Sequence, residues 1–87
     1  MSKIVCNINM FDLNQHIILV KDNGTSEEIT TSTINNLGDL IVASCSKFNL
    51  NKIHLFGDKK YIDGIIENIL SINSSKYKIN NIELEVN

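Results

Sequence analysis

The chain has 87 residues, 43% of them hydrophobic and 21% charged, with a net charge of −2 at neutral pH. That is enough for one hydrophobic core and too apolar for a disordered segment. The mild acidity argues against a general nucleic-acid binder, which carries a basic surplus, and no apolar run approaches the roughly 18 residues of a membrane span.

Residues 3–11 alternate as a strand, with Ile4, Cys6, Ile8 and Met10 on one face and Val5, Asn7, Asn9 and Phe11 on the other. Asp12 to Gln15 read as a turn, with Asn14 suited to a left-handed conformation. His16 to Lys21 form a second strand that is apolar on both faces. Asp22-Asn23-Gly24 is the strongest hairpin signal, because Asn-Gly tolerates the two positive φ angles of a type I′ turn. Thr25 to Thr33 are mostly polar and β-branched, which suits an edge strand.

The period then changes from two to 3.6. Thr33 or Asn36 caps a first helix, whose stripe is Leu37, Leu40, Ile41, Ser44, Cys45 and Phe48. Asn49 closes it in the left-handed region, with Leu50 as the apolar residue of a Schellman stop. Lys52 to Phe56 are a short, nearly continuous apolar strand, the kind buried in parallel sheets. Gly57 breaks it and Asp58 caps a second helix, Lys59 to Ile72, with its stripe on Ile62, Ile65, Ile66, Ile69 and Leu70. Ser71 to Lys76 read as the exit loop. A last strand sets Ile82, Leu84 and Val86 against Glu83 and Glu85. A bend falls at Asn80-Asn81, and Tyr77 to Ile79 extend the strand beyond it.

The composition is skewed. Every basic residue is lysine, Pro and Trp are missing, and Ile, Asn and Lys make up 36 of the 87 residues. These residues have AT-rich codons, so the chain is expected from a low-GC bacterium or one of its phages or plasmids. Without arginine there is no guanidinium fork for bidentate phosphate or guanine contacts. The opening residues lack the long apolar stretch of a secretion signal, and the two cysteines, Cys6 and Cys45, form no disulfide framework. Both are expected as reduced core thiols of a cytoplasmic protein.

The order βββαβαβ predicts an antiparallel three-strand meander followed by two right-handed parallel crossovers. With the fourth strand returning beside the first, the single domain is an α/β sandwich with a mixed sheet of order 3-2-1-4-5 and both helices on one face. This order resembles the ribonuclease H-like fold, shared by nucleases, transposases, junction resolvases and actin-like ATPase halves. The resemblance covers nearly the whole chain as topology. It implies a carboxylate in the middle of the first strand, where Asn7 and Asn9 stand, and a second closing the fourth, where Asp58 is nearest. The actin-like branch implies a Gly-rich phosphate turn after the first strand, where Phe11 to Gln15 contain no glycine. A ferredoxin-like α+β sandwich is the alternative architecture.

Three sets of candidate residues follow. Asp12, Asp58 and Asp63 are the carboxylates a two-metal nuclease or resolvase would have to gather. Gly57, Lys59 and Lys60, at a helix N-terminus, are the candidates for an anion or nucleotide. The third set needs no reactive chemistry. With both helices on one side, the other sheet face is bare, and the strands carry surplus apolar residues: Val5, Phe11, Ile17, Leu19 and Phe56, with His54 among them. Bare apolar patches beyond a few hundred Å² mark interfaces. The expected function is therefore a small non-enzymatic interaction protein without a cofactor. It would act as a homo-oligomer or on a host protein, as an inhibitor or assembly accessory. A reduced metal-dependent nuclease and a small nucleotide-binding protein are the alternatives. His16, His54, Cys6 and Cys45 have no ligand spacing and are expected as ordinary strand histidines and core thiols.

Overall fold

A computed structural model describes residues 1–87. The strands are β1 (Lys3–Ile8), β2 (Gln15–Val20), β3 (Ser26–Ser32), β4 (Lys52–Gly57) and β5 (Glu83–Val86). The helices are α1 (Leu37–Phe48), entered through a 3-10 turn at Ile34–Asn36, and α2 (Lys59–Ile72), which runs into a π turn at Asn73–Tyr77. The sheet order is β3-β2-β1-β4-β5. β2 runs antiparallel to β1 and β3, while β1, β4 and β5 are mutually parallel. The opening three-strand meander excludes the ferredoxin-like alternative.

Alternation along the strands sets the layers. Ile4, Cys6 and Ile8 of β1, Ile17 and Leu19 of β2, and Ile53 and Leu55 of β4 are buried with Leu37, Ile41, Val42 and Cys45 of α1 and with Ile62, Ile65 and Ile69 of α2. Every buried strand residue shares one parity, so both helices cover one face of the sheet and the other is open. The helices pack closely at Gly38, where a β-carbon would come within 2.7 Å of Asn68 Cβ.

The stops follow local chemistry. α1 ends in a Schellman motif: Asn49 sits at φ 56°, Asn49 N–H donates to Ser46 O, and Leu50 N–H donates to Cys45 O at 2.8 Å. The β2–β3 hairpin departs from expectation. Only Gly24 has a positive φ (85°), Gly24 N–H donates to Lys21 O, and Lys21 N–H donates to Thr25 O. This is a three-residue type I turn closed by a glycine bulge rather than a type I′ turn. Asn23 favours it by accepting from Thr25 N–H and Oγ1–H. Asn14 likewise stays out of the left-handed region, which Asn49, Lys78 and Asn81 enter. The segment from Tyr77 to Ile79 is not strand, because the π turn carries the chain to Lys78.

The expected side-chain caps of the helices do not form. Thr33, Asn36 and Asp58 occupy the positions before the helical turns, but their side chains accept no hydrogen bond from the helix. Asp58 Oδ2 accepts instead from Met10 N–H at 2.7 Å, across 48 residues of sequence. β1 accordingly ends at Ile8 rather than Phe11, since residues 9–12 are drawn into a turn.

Candidate functional site

The uncovered face is built from the other parity of the same strands. Register places Val5 beside Ile18 on one side and His54 on the other. Ile18 is beside Glu28, and His54 is beside Glu85. One row across all five strands therefore reads Glu28, Ile18, Val5, His54, Glu85. Val20 and Lys3 pair in the row towards the start of β1, and Asn7 and Phe56 pair in the row towards its end. Val5, Ile18, Val20 and Phe56 are each only partly covered by their neighbours.

Two expected members of this patch lie elsewhere. Ile17 is 0% exposed and Leu19 6%, both under the helices. Their neighbours Ile18 and Val20 take the open face. β2 is apolar at both parities, so alternation alone leaves its phase undetermined, and pairing with β1 decides it. Phe11 is on neither face: it is 87% exposed in the β1–β2 loop. Val5, His54 and Phe56 stand where they were expected. His54 is 16% exposed at its side chain, its ring lies 5.4 Å from that of Phe56, and its Nε2 is buried without a partner.

Polar pairs border the stripe. His16 Nδ1 contacts Glu28 on the β3 side. On the β5 side His54 Nδ1 is 3.9 Å from Glu85, and Lys52 Nζ is 3.5 Å from Glu83. The two pairs exposed on both sides, His16–Glu28 and Lys52–Glu83, add little stability and instead keep an apolar patch soluble at its rim.

The β1–β2 loop is the second unusual surface, and its organiser, Gln15, was not expected. This buried side chain donates through Nε2 to Asn9 O and Asp12 O and accepts through Oε1 from Asn9 N–H at 2.7 Å. A glutamine at the start of an apolar strand was the only sequence signal. Met10, Phe11 and Leu13 are exposed around it.

The three candidate carboxylates do not assemble. Asp58 is held by Met10 N–H, Asp12 is in the loop, and Asp63 is exposed on α2; no three His, Cys, Asp or Glu side chains converge on a common point. At Gly57 (φ 114°) a β-carbon would fall 2.1 Å from Ile8 O, so this glycine serves the close approach of β4 to β1. Asp58 N–H donates to Ile8 O at 2.9 Å, and the Asp58 carboxyl group stands at the same helix end. Lys59 is exposed, and the Lys60 ammonium lies over the Tyr61 ring at 5.9 Å. Cys6 and Cys45 are buried among aliphatic side chains, and burial pushes each thiol up to about 11 from 9.0, which keeps both protonated and unreactive at neutral pH.

No protein-family model matches the chain, and no curated protein matches it either. No helix is long and apolar enough to cross a membrane.

Proposed function

We propose that the chain is a non-enzymatic protein-interaction module that works by laying its open sheet face on a protein surface, its own or that of a host protein. The observation that supports this reading most is the stripe of Val5, Ile18, Val20 and Phe56 across the central strands, bordered by His–Glu and Lys–Glu pairs. An apolar centre with a polar rim is the anatomy of a protein interface. Covering the area these side chains still expose contributes about 25 cal/mol for each Å² of apolar surface removed from water. The carboxylates that the nuclease alternative needs are engaged in holding loops or stand apart.

Sedimentation equilibrium tests the reading. The wild-type chain is expected to show a concentration-dependent monomer–dimer equilibrium, and Ile18→Lys to remain folded by circular dichroism while sedimenting as a monomer. A wild-type chain that stays strictly monomeric at high concentration would remove self-association from the proposal.

A further inference from the structure

Four consecutive backbone N–H groups in the β1–β2 loop are satisfied from within the molecule. Asn9 N–H donates to Gln15 Oε1, Met10 N–H to Asp58 Oδ2, Phe11 N–H to Asn9 Oδ1, and Asp12 N–H to Asn9 O. The loop is thus pre-shaped, and burying it strands none of these donors. Yet it carries Leu13 at 90% exposure and Phe11 at 87%, with Met10 at 49%. A rigid loop that holds large apolar side chains in water is an anchor for something.

Area and charge say what. The open face spans about 20 Å by 20 Å, or ~400 Å² per protomer, from ordinary strand rise and spacing. That falls short of the ~800 Å² per partner of a standard interface. The loop's three apolar side chains add on the order of 300 Å², which brings a symmetric pair within that size class. Asp12, between Phe11 and Leu13, and Lys3, at the opposite end of β1, enter none of the chain's ion pairs. Beside Lys3 lies a shallow depression of about 250 Å³, lined by Lys52, His54, Glu83 and Glu85, with room for one aromatic ring.

We infer that two copies of this chain pack open face to open face about a two-fold axis perpendicular to the strands, with Phe11 of each copy seated in that depression on the other and Asp12 meeting the other copy's Lys3. This axis reverses strand direction and so lays the loop end of one copy over the Lys3 end of its partner. It also keeps like strands facing. Met10 N–H is held by Asp58, just past β4, and Asn9 and Asp12 are held by Gln15 of β2, so the loop is fixed from both sides of β1. The contact is isologous and closes at two copies. The inference rests on the open face being the interface and adds the anchor and the geometry.

The test is a set of dimer dissociation constants by sedimentation, with folding checked by circular dichroism. Phe11→Ser with Leu13→Ser is expected to weaken the dimer ~100-fold or more. Asp12→Lys and Lys3→Glu are each expected to weaken it, and their combination to restore it, because the pair is reciprocal. If Ile18→Lys dissociates the dimer while the loop variant does not, the inference falls and the open-face interface stands. If the loop variant dissociates it and Ile18→Lys does not, both fall. A charge swap that fails to rescue overturns the proposed geometry, as does a wild-type monomer.

Discussion

The two faces of the sheet share every strand and differ in what covers them. On β1, Ile4, Cys6 and Ile8 are sealed beneath the helices, while Val5 is partly covered by its strand neighbours and Asn7 faces solvent. On β2 both parities are aliphatic, yet Ile17 and Leu19 are buried and Ile18 and Val20 are not. A side chain's hydrophobicity therefore does not tell its task here. The covered set contributes to the fold of one copy, and the uncovered set has favourable burial left to gain from another.

The sharpest way to break this contrast is to truncate one residue from each face at concentrations where the chain is monomeric. Leu55→Ala is expected to cost about 3 kcal/mol, the range for a large-to-small change in a sealed core. For a domain of this size that is a large fraction of total stability. Ile18→Ala is expected to cost less than ~1 kcal/mol in the same denaturation experiment. Equal costs would mean that the open face is covered within a single copy.

A smaller effect separates the two staples of the β1–β2 loop. Gln15→Ala leaves the Asn9 N–H without its acceptor and the Asp12 carbonyl without this donor, while the Asn9 carbonyl keeps Asp12 N–H, at an expected cost of about 2 kcal/mol. Asp58→Ala removes one bond at the exposed Met10 and is expected to cost under ~1 kcal/mol. Amide exchange at residue 9 would report the first change directly, since that proton becomes free to exchange with solvent. Unchanged exchange in Gln15→Ala would show that the loop keeps its shape without the glutamine.

The fold was legible because its signals are local and redundant. Strand parity in residues 3–8, the 3.6-residue stripes of both helices and the Asn49 stop each agree with the same sheet order. The candidate site was only half legible. Val5, His54 and Phe56 could be placed because polar Asn7 and Lys52 mark the parity of their strands. Ile17 and Leu19 could not, because nothing on β2 between His16 and Lys21 is polar. Asp58 illustrates the other blind spot. Its position before a helix gives it a sufficient local role, and only the tertiary approach of Met10 reveals the one it takes. Phe11 read as strand because alternation continues to it, whereas Asn9 turns the chain by accepting from Phe11 N–H and Asp12 N–H, and Gln15 and the distant Asp58 hold that turn in place.

The subtlest expected difference between the faces is one of proton chemistry, because both thiols lie in the helix-covered layer. In the folded chain each stays protonated until about pH 11, whereas in the unfolded chain it ionises near 9.0. Below pH 9 both states hold the protons, and the thiols make no pH-dependent contribution. Between pH 9 and 11 the unfolded state alone releases them, so stability falls as pH rises, by about 1 kcal/mol per thiol at pH 10. The lysines and tyrosines also titrate in this window, so the informative quantity is a difference. Stability at pH 7.5 minus stability at pH 10 is expected to be larger in the wild-type chain than in Cys6→Ala with Cys45→Ala, even though the variant is less stable at both. An identical difference in the two chains would mean that the thiols reach solvent in the folded state, and with them the layer that α1 is meant to seal.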